Sequence, residues 1–350
     1  MLIGIGACSN ISIAYGKNRK DEAEKFLGNG TTCIIIISIF IAILGNLFAE
    51  PILTLFGASK NTLPYAAAYI CPLFTGTIFN LFAFGLNNSI RSDGNPKLSM
   101  LTMVIGAIVN IVLDPIFIFN FNLGIKGAAY ATILSQFIAT CWVLYYFTKS
   151  KKSSIKITLN GMKLDKAIVI SILMIGLSPF LMQVANSIVS VIANRSLMTY
   201  GGDLAIGAMT IITSIASLFI MPVYGLNQGS QPIIGYNYGA KKYDRVRKTY
   251  IYSLVACTVI LCLSGLFIQL FPKIAISLFN KDKELTDITV NGMRIYLLSM
   301  PLIGIQMTAS NYYQAVGKAK KAMIISLTRQ LIFLIPAFLI LPKLLYTFNQ

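Results

Sequence analysis

The sequence contains no histidine, and charged residues occupy only 12% of its 350 positions. A soluble domain carries about 25% charged residues, so this chain has too little polar surface to cover a water-facing globule. The lack of histidine excludes His-based catalytic triads, His-ligated zinc or haem, and an imidazole proton shuttle. Hydrophobic residues, by contrast, make up 56% of the chain. The composition therefore indicates a polytopic membrane protein in contact with a lipid bilayer.

Cysteine is also scarce, with six residues that all lie in apolar stretches and form no C-x-x-C pair. In such surroundings a cysteine is a small hydrophobic residue, so we expect neither a disulfide framework nor a cysteine metal site. No cofactor is expected for this chain.

Long apolar runs recur along the chain, each close to the roughly 20 residues that a helix needs to cross a bilayer. Because lipid offers no hydrogen bonds to the backbone, these runs must be helical, and the fold is predicted to be all-α. Residues 1–15 resemble the second half of a further span. The predicted spans are 31–49, 63–90, 98–119, 127–147, 167–194, 204–230, 249–271, 295–315 and 322–342.

The positive charge is concentrated in alternate loops, which hold 20 of the 29 lysines and arginines. The positive-inside rule places these loops in the cytoplasm of a multi-pass protein of the cell membrane. The net charge of +17 is thus explained by topology and requires no nucleic-acid partner. The basic loops are 17–25, 91–97, 149–166, 241–248 and 318–321.

An internal repeat is visible at an offset of 223 residues, which superposes Tyr15-Gly16 on Tyr238-Gly239 and Gly94 on Gly317. Parallel repeats in transporters are related by an axis along the membrane normal. We therefore predict two pseudo-symmetric helical bundles around a central cleft. Helices are missing from the start of the first repeat and the end of the second, as in a fragment of a longer protein. The predicted domains are a bundle at 1–147, a basic cytoplasmic linker at 148–166 and a bundle at 167–350.

Asp114 is the one acidic residue well inside an apolar run, and Asn110 lies one helical turn before it. Pro115 follows and removes a backbone donor, which loosens the helix and frees a carbonyl. These oxygens suit a small cation or a proton; the alternative is a protonated carboxyl that only makes hydrogen bonds. A single intramembrane carboxylate without histidine leaves acid–base catalysis without a partner, so we expect no enzyme.

Other polar residues recur at helical spacing inside the spans. Thr132 and Gln136 are one turn apart, and an amide-rich stripe runs from 183 to 194. Serine and threonine stripes are common in helix packing, whereas the amides favour a watery cavity. Arg329 lies about 12 Å into its span, where three arrangements are open to it: it snorkels to the interface, faces the cavity or pairs with a carbonyl. The predicted cavity-lining residues are Gln136, Gln183, Asn186, Ser190, Asn194, Gln306 and Tyr313.

Three motifs carry a resemblance to a known family: Ile90-Arg-Ser-Asp-Gly-Asn-Pro-Lys97, the Asn110-to-Pro115 segment followed by Gly124-to-Ala129, and Gly225-to-Pro232 followed by Gly235-to-Gly239. Together they resemble the multidrug and toxic compound extrusion (MATE) family, in particular its MepA-like and DinF-like members. The resemblance covers essentially the whole chain.

This resemblance implies a twelve-helix transporter of two six-helix bundles that exports cationic and amphiphilic drugs in exchange for Na⁺ or H⁺. In the family's helix numbering, the resemblance implies that the chain runs from the middle of helix 2 to helix 11. The helix 1 aspartate that shares the family's cation site would therefore precede Met1. Asn110, Asp114 and Thr132 fall on the cation site, as ligands of Na⁺ if transport is sodium-coupled. The helix bend that responds to ion binding would be centred on Pro115 or on Pro179.

The alternatives are a lipid-linked oligosaccharide flippase of the same superfamily and an inactive truncated fragment. A flippase is disfavoured because its cavity should be strongly cationic, whereas Arg329 is the one basic residue well within a span. We expect a monomer, with amphiphilic drugs as its small-molecule partners.

Overall fold

The computed structural model describes residues 1–56, 61–279 and 282–340, and these ranges contain helices and short connections but no strand. The first half begins with a short apolar helix and continues through six more helices. Its helices are α1 (Leu2–Gly16), α2 (Lys20–Leu47), α3 (Ala49–Leu55), α4 (Leu63–Thr75), α5 (Thr77–Ser92), α6 (Pro96–Pro115) with a π-helical extension (Ile116–Asn120), and α7 (Gly124–Thr148).

The second half opens with α8 (Lys166–Gly239), whose backbone breaks at Gly202, a residue with φ of 63°. The break separates two apolar helices, Lys166–Gly202 and Leu204–Gly239. The remaining helices are α9 (Tyr243–Leu270), α10 (Pro272–Ser277), α11 (Lys283–Leu297), α12 (Met300–Ala315) and α13 (Ala319–Leu327), followed by a second π-helical segment (Thr328–Leu334).

The predicted apolar helices are confirmed, except that residues 341 and 342 of the last predicted span lie outside the described residues. Within the described residues, seven single helices are long and apolar enough to cross a bilayer, and two bent helix pairs bring the total to nine. The bends were not predicted. α4 and α5 meet at 56°, so the predicted span 63–90 is broken, and α11 meets α12 at 45° close to the start of the predicted span 295–315.

The internal repeat is confirmed helix by helix. α2 ends at Leu47 and α9 at Leu270, which is the same offset of 223 residues. The turns repeat as well as the helices: Asn18 and Lys241 both have φ of 58°, and Gly94 and Gly317 have φ of 84° and 75°. The left-handed conformation disfavours side chains with a Cβ atom. The two halves therefore share the backbone geometry of the turns as well as the hydrophobic pattern.

Internal contacts divide the chain into two compact units, residues 1–176 and 177–350. The first has one large apolar core, formed mainly by α1, α2, α5 and α7 around side chains such as Ile11, Leu86 and Phe147. The second has a core around Ile215, Leu261 and Ile276.

The segment 148–166, predicted as a linker between domains, packs on the first unit. Asn29 of α2 donates to the carbonyl oxygens of Gly161 and Lys163, at 3.0 and 3.1 Å, and accepts from the amide of Asp165 at 2.8 Å. These bonds satisfy backbone groups that a free linker would leave to water. We call residues 148–166 the connector from here on.

Candidate functional site

The structure brings Asp114, Asn110 and Thr132 together in the first unit. The amide nitrogen of Asn110, Nδ2, lies 3.2 Å from Asp114 Oδ1 and 3.5 Å from Thr132 Oγ1. The Thr132 hydroxyl donates to the carbonyl of Ala128 at 2.9 Å, which turns its lone pairs towards the other two side chains. All three side chains are half-buried. The cluster thus presents the carboxylate of Asp114 and the hydroxyl of Thr132, which are hard oxygen ligands, with the amide nitrogen of Asn110 donating to both.

Pro115 and the π-helical extension shape the backbone beside this cluster. Proline has no amide hydrogen, so Pro115 cannot bond to the carbonyl four residues earlier, at Ile111. The helix continues with wider turns, in which the Phe121 amide donates to the Ile116 carbonyl at 3.0 Å. Wide turns of this kind occur frequently at functional sites. The loosened backbone predicted from Pro115 is therefore present, directly after Asp114.

Gly127 allows α7 to approach α6 closely enough for Thr132 to reach Asn110. A Cβ atom at this position would lie 2.6 Å from the carbonyl oxygen of Phe117, in the π-helical extension. The tight turn before α7 has positive φ at Asn122 and Gly124. Local backbone requirements thus determine where the threonine is placed.

Gln136 lines a cavity of about 190 Å³ between α5, α6 and α7. It lies one turn beyond Thr132 on α7, and Gly106, which also lines the cavity, lies one turn before Asn110 on α6. The other polar lining residues are Asn80, Asn87, Thr102 and Ser135.

The polar residues predicted in the second unit are not brought together as one group. Asn186 hydrogen-bonds with Gln330 of the second π-helical segment. Gln306 donates to the carbonyl of Ile325 at 3.0 Å, which joins α12 to α13. Three further members of the stripe, Gln183, Ser190 and Asn194, are exposed on α8, and Pro179 is buried.

Tyr313 lies in an aromatic cluster near the basic loops of the second unit. Its ring centroid is 5.2 Å from that of Tyr312, whose centroid in turn lies 4.8 Å from that of Tyr250, with the two ring planes inclined at 49°. The Lys321 ammonium lies 5.9 Å from the centre of the Tyr313 ring. These contacts account for Tyr313 through aromatic packing and a cation–π interaction.

One buried carboxylate was missed by the sequence reasoning. Asp93, at the end of α5, is 8% exposed and accepts hydrogen bonds from three different elements. The Tyr15 hydroxyl of α1 donates to its Oδ1 at 2.5 Å, and the Tyr146 hydroxyl of α7 donates to Oδ2 at 2.6 Å. From the connector, the Ser153 hydroxyl and the Ser154 amide both donate to Oδ2 at 3.0 Å.

The Asp93 cluster fixes the connector to the ends of α1, α5 and α7. No cation is paired with this carboxylate in the described part of the chain, so neutral donors supply its stabilisation. A signal was present in the sequence: Tyr15 was identified as a repeat landmark, and Asp93 is adjacent to Gly94, another landmark. Hydropathy alone placed Asp93 in a loop and did not reveal that it is buried.

Fold and site together define a helical membrane protein of two repeated units, with the Asp114 cluster in the first unit. The positions equivalent to Asn110 and Asp114 in the second repeat are Phe333 and Ala337. A family model described as MatE matches residues 1–116 and 167–339. The chain belongs to the MatE family.

Curated and structurally characterised relatives agree with this assignment. The multidrug export protein MepA of Staphylococcus haemolyticus (strain JCSC1435) is 27% identical over 343 residues, which cover 98% of this chain and 75% of the relative. The MATE multidrug transporter DinF-BH, solved in complex with R6G, is 37% identical with a TM-score of 0.89. An outward-facing MATE transporter of the MOP superfamily is 26% identical with a TM-score of 0.93. Each of these two structures aligns with 98% of this chain, which covers 76% of theirs.

Proposed function

We propose that this chain is a multidrug exporter that exchanges cationic or amphiphilic compounds for Na⁺ or H⁺ at Asp114. The observation that carries the proposal is the convergence of Asp114, Asn110 and Thr132 from two helices at 3.2 and 3.5 Å. An ionisable residue inside a span is costly unless it has a partner or a transport role. The names of the relatives, multidrug export protein and multidrug transporter, supply the export function.

In the proposed cycle the coupling ion binds the Asp114 carboxylate. The Thr132 hydroxyl is a further ligand, and the Asn110 amide becomes one when it turns its oxygen towards the ion in place of the nitrogen that now faces Asp114. Binding neutralises a charge in a low-dielectric surrounding and changes which packing of α6 and α7 is preferred. The wide turns after Pro115 can absorb this change because their hydrogen bonds are already rearranged. Exchange follows if ion and drug bind the two conformations with different affinity.

Efflux of a fluorescent cationic dye from membrane vesicles tests the proposal, with sodium and pH gradients imposed separately. We expect Asp114→Asn to lower the ion-driven rate about 10-fold or more, with unchanged insertion into the membrane. Asp287→Asn is the matched control, since Asp287 is an exposed acidic residue near the start of α11. Normal dye efflux by a well-inserted Asp114→Asn variant would overturn the assignment.

The flippase alternative has one observation in its favour, the half-buried Arg329 in the second unit. Transport of a lipid pyrophosphate would require several such cations, and Arg195 and Arg294, two other arginines within the described spans of the second unit, are exposed. We therefore retain the exporter as the proposed function.

A further inference from the structure

Two basic segments of the second unit, 241–248 and 317–321, converge on one buried apolar cluster. Val246, near the start of α9, lies inside the first segment, and Val316, at the end of α12, directly precedes the second. Both valines belong to the same cluster, so the cluster holds the two segments side by side. We call their basic side chains the basic patch. It consists of Lys241, Lys242, Arg245, Arg247, Lys248, Lys318, Lys320 and Lys321.

Tyrosine rings join the same helices directly beside the basic patch. The ring of Tyr250, one turn after Val246 on α9, has its centroid 4.8 Å from that of Tyr312 on α12. The ammonium group of Lys321 lies 5.9 Å from the centre of the neighbouring Tyr313 ring, which attaches one cation of the patch to the aromatic cluster. Tyrosines at the ends of membrane spans occupy the level of the lipid headgroups. The basic patch therefore lies at headgroup depth.

The cations of the basic patch are exposed and carry little compensating charge. All eight side chains are exposed, and Asp244 is the one acidic residue in the two segments. Among the residues that the structure describes, no ion pair joins Asp244 to the patch. Clustered charges of one sign create a strong local potential that attracts an anionic partner.

One exposed face of α9 continues from the basic patch into apolar side chains. Residues spaced by three or four positions share a helix face, and this spacing leads from two basic residues to one tyrosine and then to aliphatic residues. The face thus has the polarity of a phospholipid, with charge at one end and an apolar stripe along the span. Its members, all exposed, are Arg245, Lys248, Tyr252, Val255, Val259, Leu263 and Leu266.

The first repeat lacks this charge. At the offset of 223 residues, Arg245 and Arg247 correspond to Glu22 and Glu24. The segment 18–25 has three basic and three acidic residues, whereas 241–248 has five basic residues and one acidic residue. The positive-inside rule favours basic loops at this end of both units alike. It therefore does not account for the reversal of charge between the two repeats.

In the first unit the equivalent positions bind the connector. Glu24 accepts a hydrogen bond from the amide of Lys156 at 3.2 Å, and Asn95 donates to the carbonyl of Lys152 at 3.2 Å. Asn95 corresponds to Lys318 in the second repeat. Positions that bind backbone groups in one copy of the scaffold are thus occupied by cations in the other, which suits an anionic partner.

We propose that the basic patch binds the headgroup of an anionic phospholipid from the surrounding bilayer. The headgroup phosphate accepts hydrogen bonds from the lysine and arginine side chains, and the acyl chains lie along the apolar stripe of α9. Basic pockets between membrane helices bind anionic headgroups in this way. The inference goes beyond the proposed export function and does not depend on it, because lipid binding requires no transport.

Native mass spectrometry of the purified chain tests the site, with dioleoylphosphatidylglycerol and dioleoylphosphatidylcholine as probes. The two lipids have the same acyl chains, so a difference in Kd reports the charge of the headgroup. We expect phosphatidylglycerol to bind about 10-fold or more tightly than phosphatidylcholine. The triple variant Lys318→Gln, Lys320→Gln and Lys321→Gln should lose most of this preference, with an unchanged Kd for phosphatidylcholine.

The triple variant Lys17→Gln, Lys20→Gln and Lys25→Gln is the matched control. It removes the same charge from three exposed lysines at the equivalent end of the first repeat, and should keep the preference for phosphatidylglycerol within about 2-fold of the unaltered chain. An equal loss in the two triple variants would show that general surface charge is responsible and would overturn the proposal. So would equal affinity of the unaltered chain for the two lipids.

A second variant and a soluble competitor test the other parts of the site. Arg245→Gln with Lys248→Gln alters the α9 side of the patch, so it should also weaken phosphatidylglycerol alone, and an unchanged Kd contradicts the shared site. Glycerol 3-phosphate, which carries the phosphate without acyl chains, should not displace the lipid at equal concentration. Displacement would contradict the role of the apolar stripe. Asp114→Asn should leave these affinities unchanged, which separates this test from that of ion coupling.

Discussion

Removing the Asp93 carboxylate should release the connector from the first unit. In Asp93→Ala the donors at Tyr15, Tyr146, Ser153 and Ser154 lose their shared acceptor. Each hydrogen bond to a charged group contributes about 1.5 to 3 kcal/mol. The Ser154 amide belongs to the connector itself, and its bonds to Asp93, at 3.0 and 3.2 Å, protect it from exchange with solvent.

The magnitude follows from local opening of the connector. A loss of about 2 to 3 kcal/mol corresponds to amide exchange about 30- to 150-fold faster. Hydrogen–deuterium exchange of the peptide covering residues 150–158 measures this directly. Asp93→Asn should have a smaller effect, because one oxygen remains as an acceptor while the amide group faces the donors with a donor of its own.

Asn29→Ala provides the comparison, because Asn29 holds the other end of the connector, at Gly161 and Lys163. In Asn29→Ala, amide exchange should rise at residues 159–165. At residues 150–158 it should remain close to that of the unaltered chain. If Asp93→Ala leaves exchange at 150–158 unchanged while the protein stays folded, the carboxylate does not hold the connector and the reasoning fails.

Two glycine contacts give further predictions. Gly127→Val should separate α7 from the π-helical extension, because even a Cβ atom would lie 2.6 Å from the Phe117 carbonyl oxygen. We expect weaker cation binding, which calorimetry measures. An unchanged affinity for the cation would contradict this. Gly176→Ala should destabilise the protein by about 1 to 3 kcal/mol, since its Cβ would lie 1.6 Å from the Leu2 carbonyl oxygen. Gly106→Ala, with 3.7 Å to its nearest neighbour, is the tolerated control; equal melting temperatures of the two alanine variants would refute the contact argument.

Most of the fold was predictable because lipid imposes simple requirements. A helix must satisfy its own backbone in a bilayer, so apolar runs reported the nine spans directly. The repeat was visible because turns with positive φ restrict which residues are tolerated, as at Gly94 and Gly317. The bends between α4 and α5 and between α11 and α12 were missed, since the hydropathy of a run does not report the angle between its helices.

The candidate site was predictable in part. Asn110 and Asp114 were grouped correctly because four residues correspond to about one helical turn. The contact with Thr132 required a second helix, and spacing along the chain does not give contacts between helices. Asp93 was missed for the same reason: its burial depends on Tyr15 and Tyr146, which are distant in sequence.

The two repeats show how one backbone scaffold acquires different chemistry in its two copies. Asp93 corresponds to Val316, and Tyr15 to Tyr238. In the first unit the tyrosine donates a hydrogen bond to the carboxylate, whereas in the second Tyr238 packs against an apolar cluster that contains Val316. In the first unit the carboxylate also accepts from the connector, at Ser153 and Ser154, and so satisfies polar groups there that would otherwise be buried without a partner.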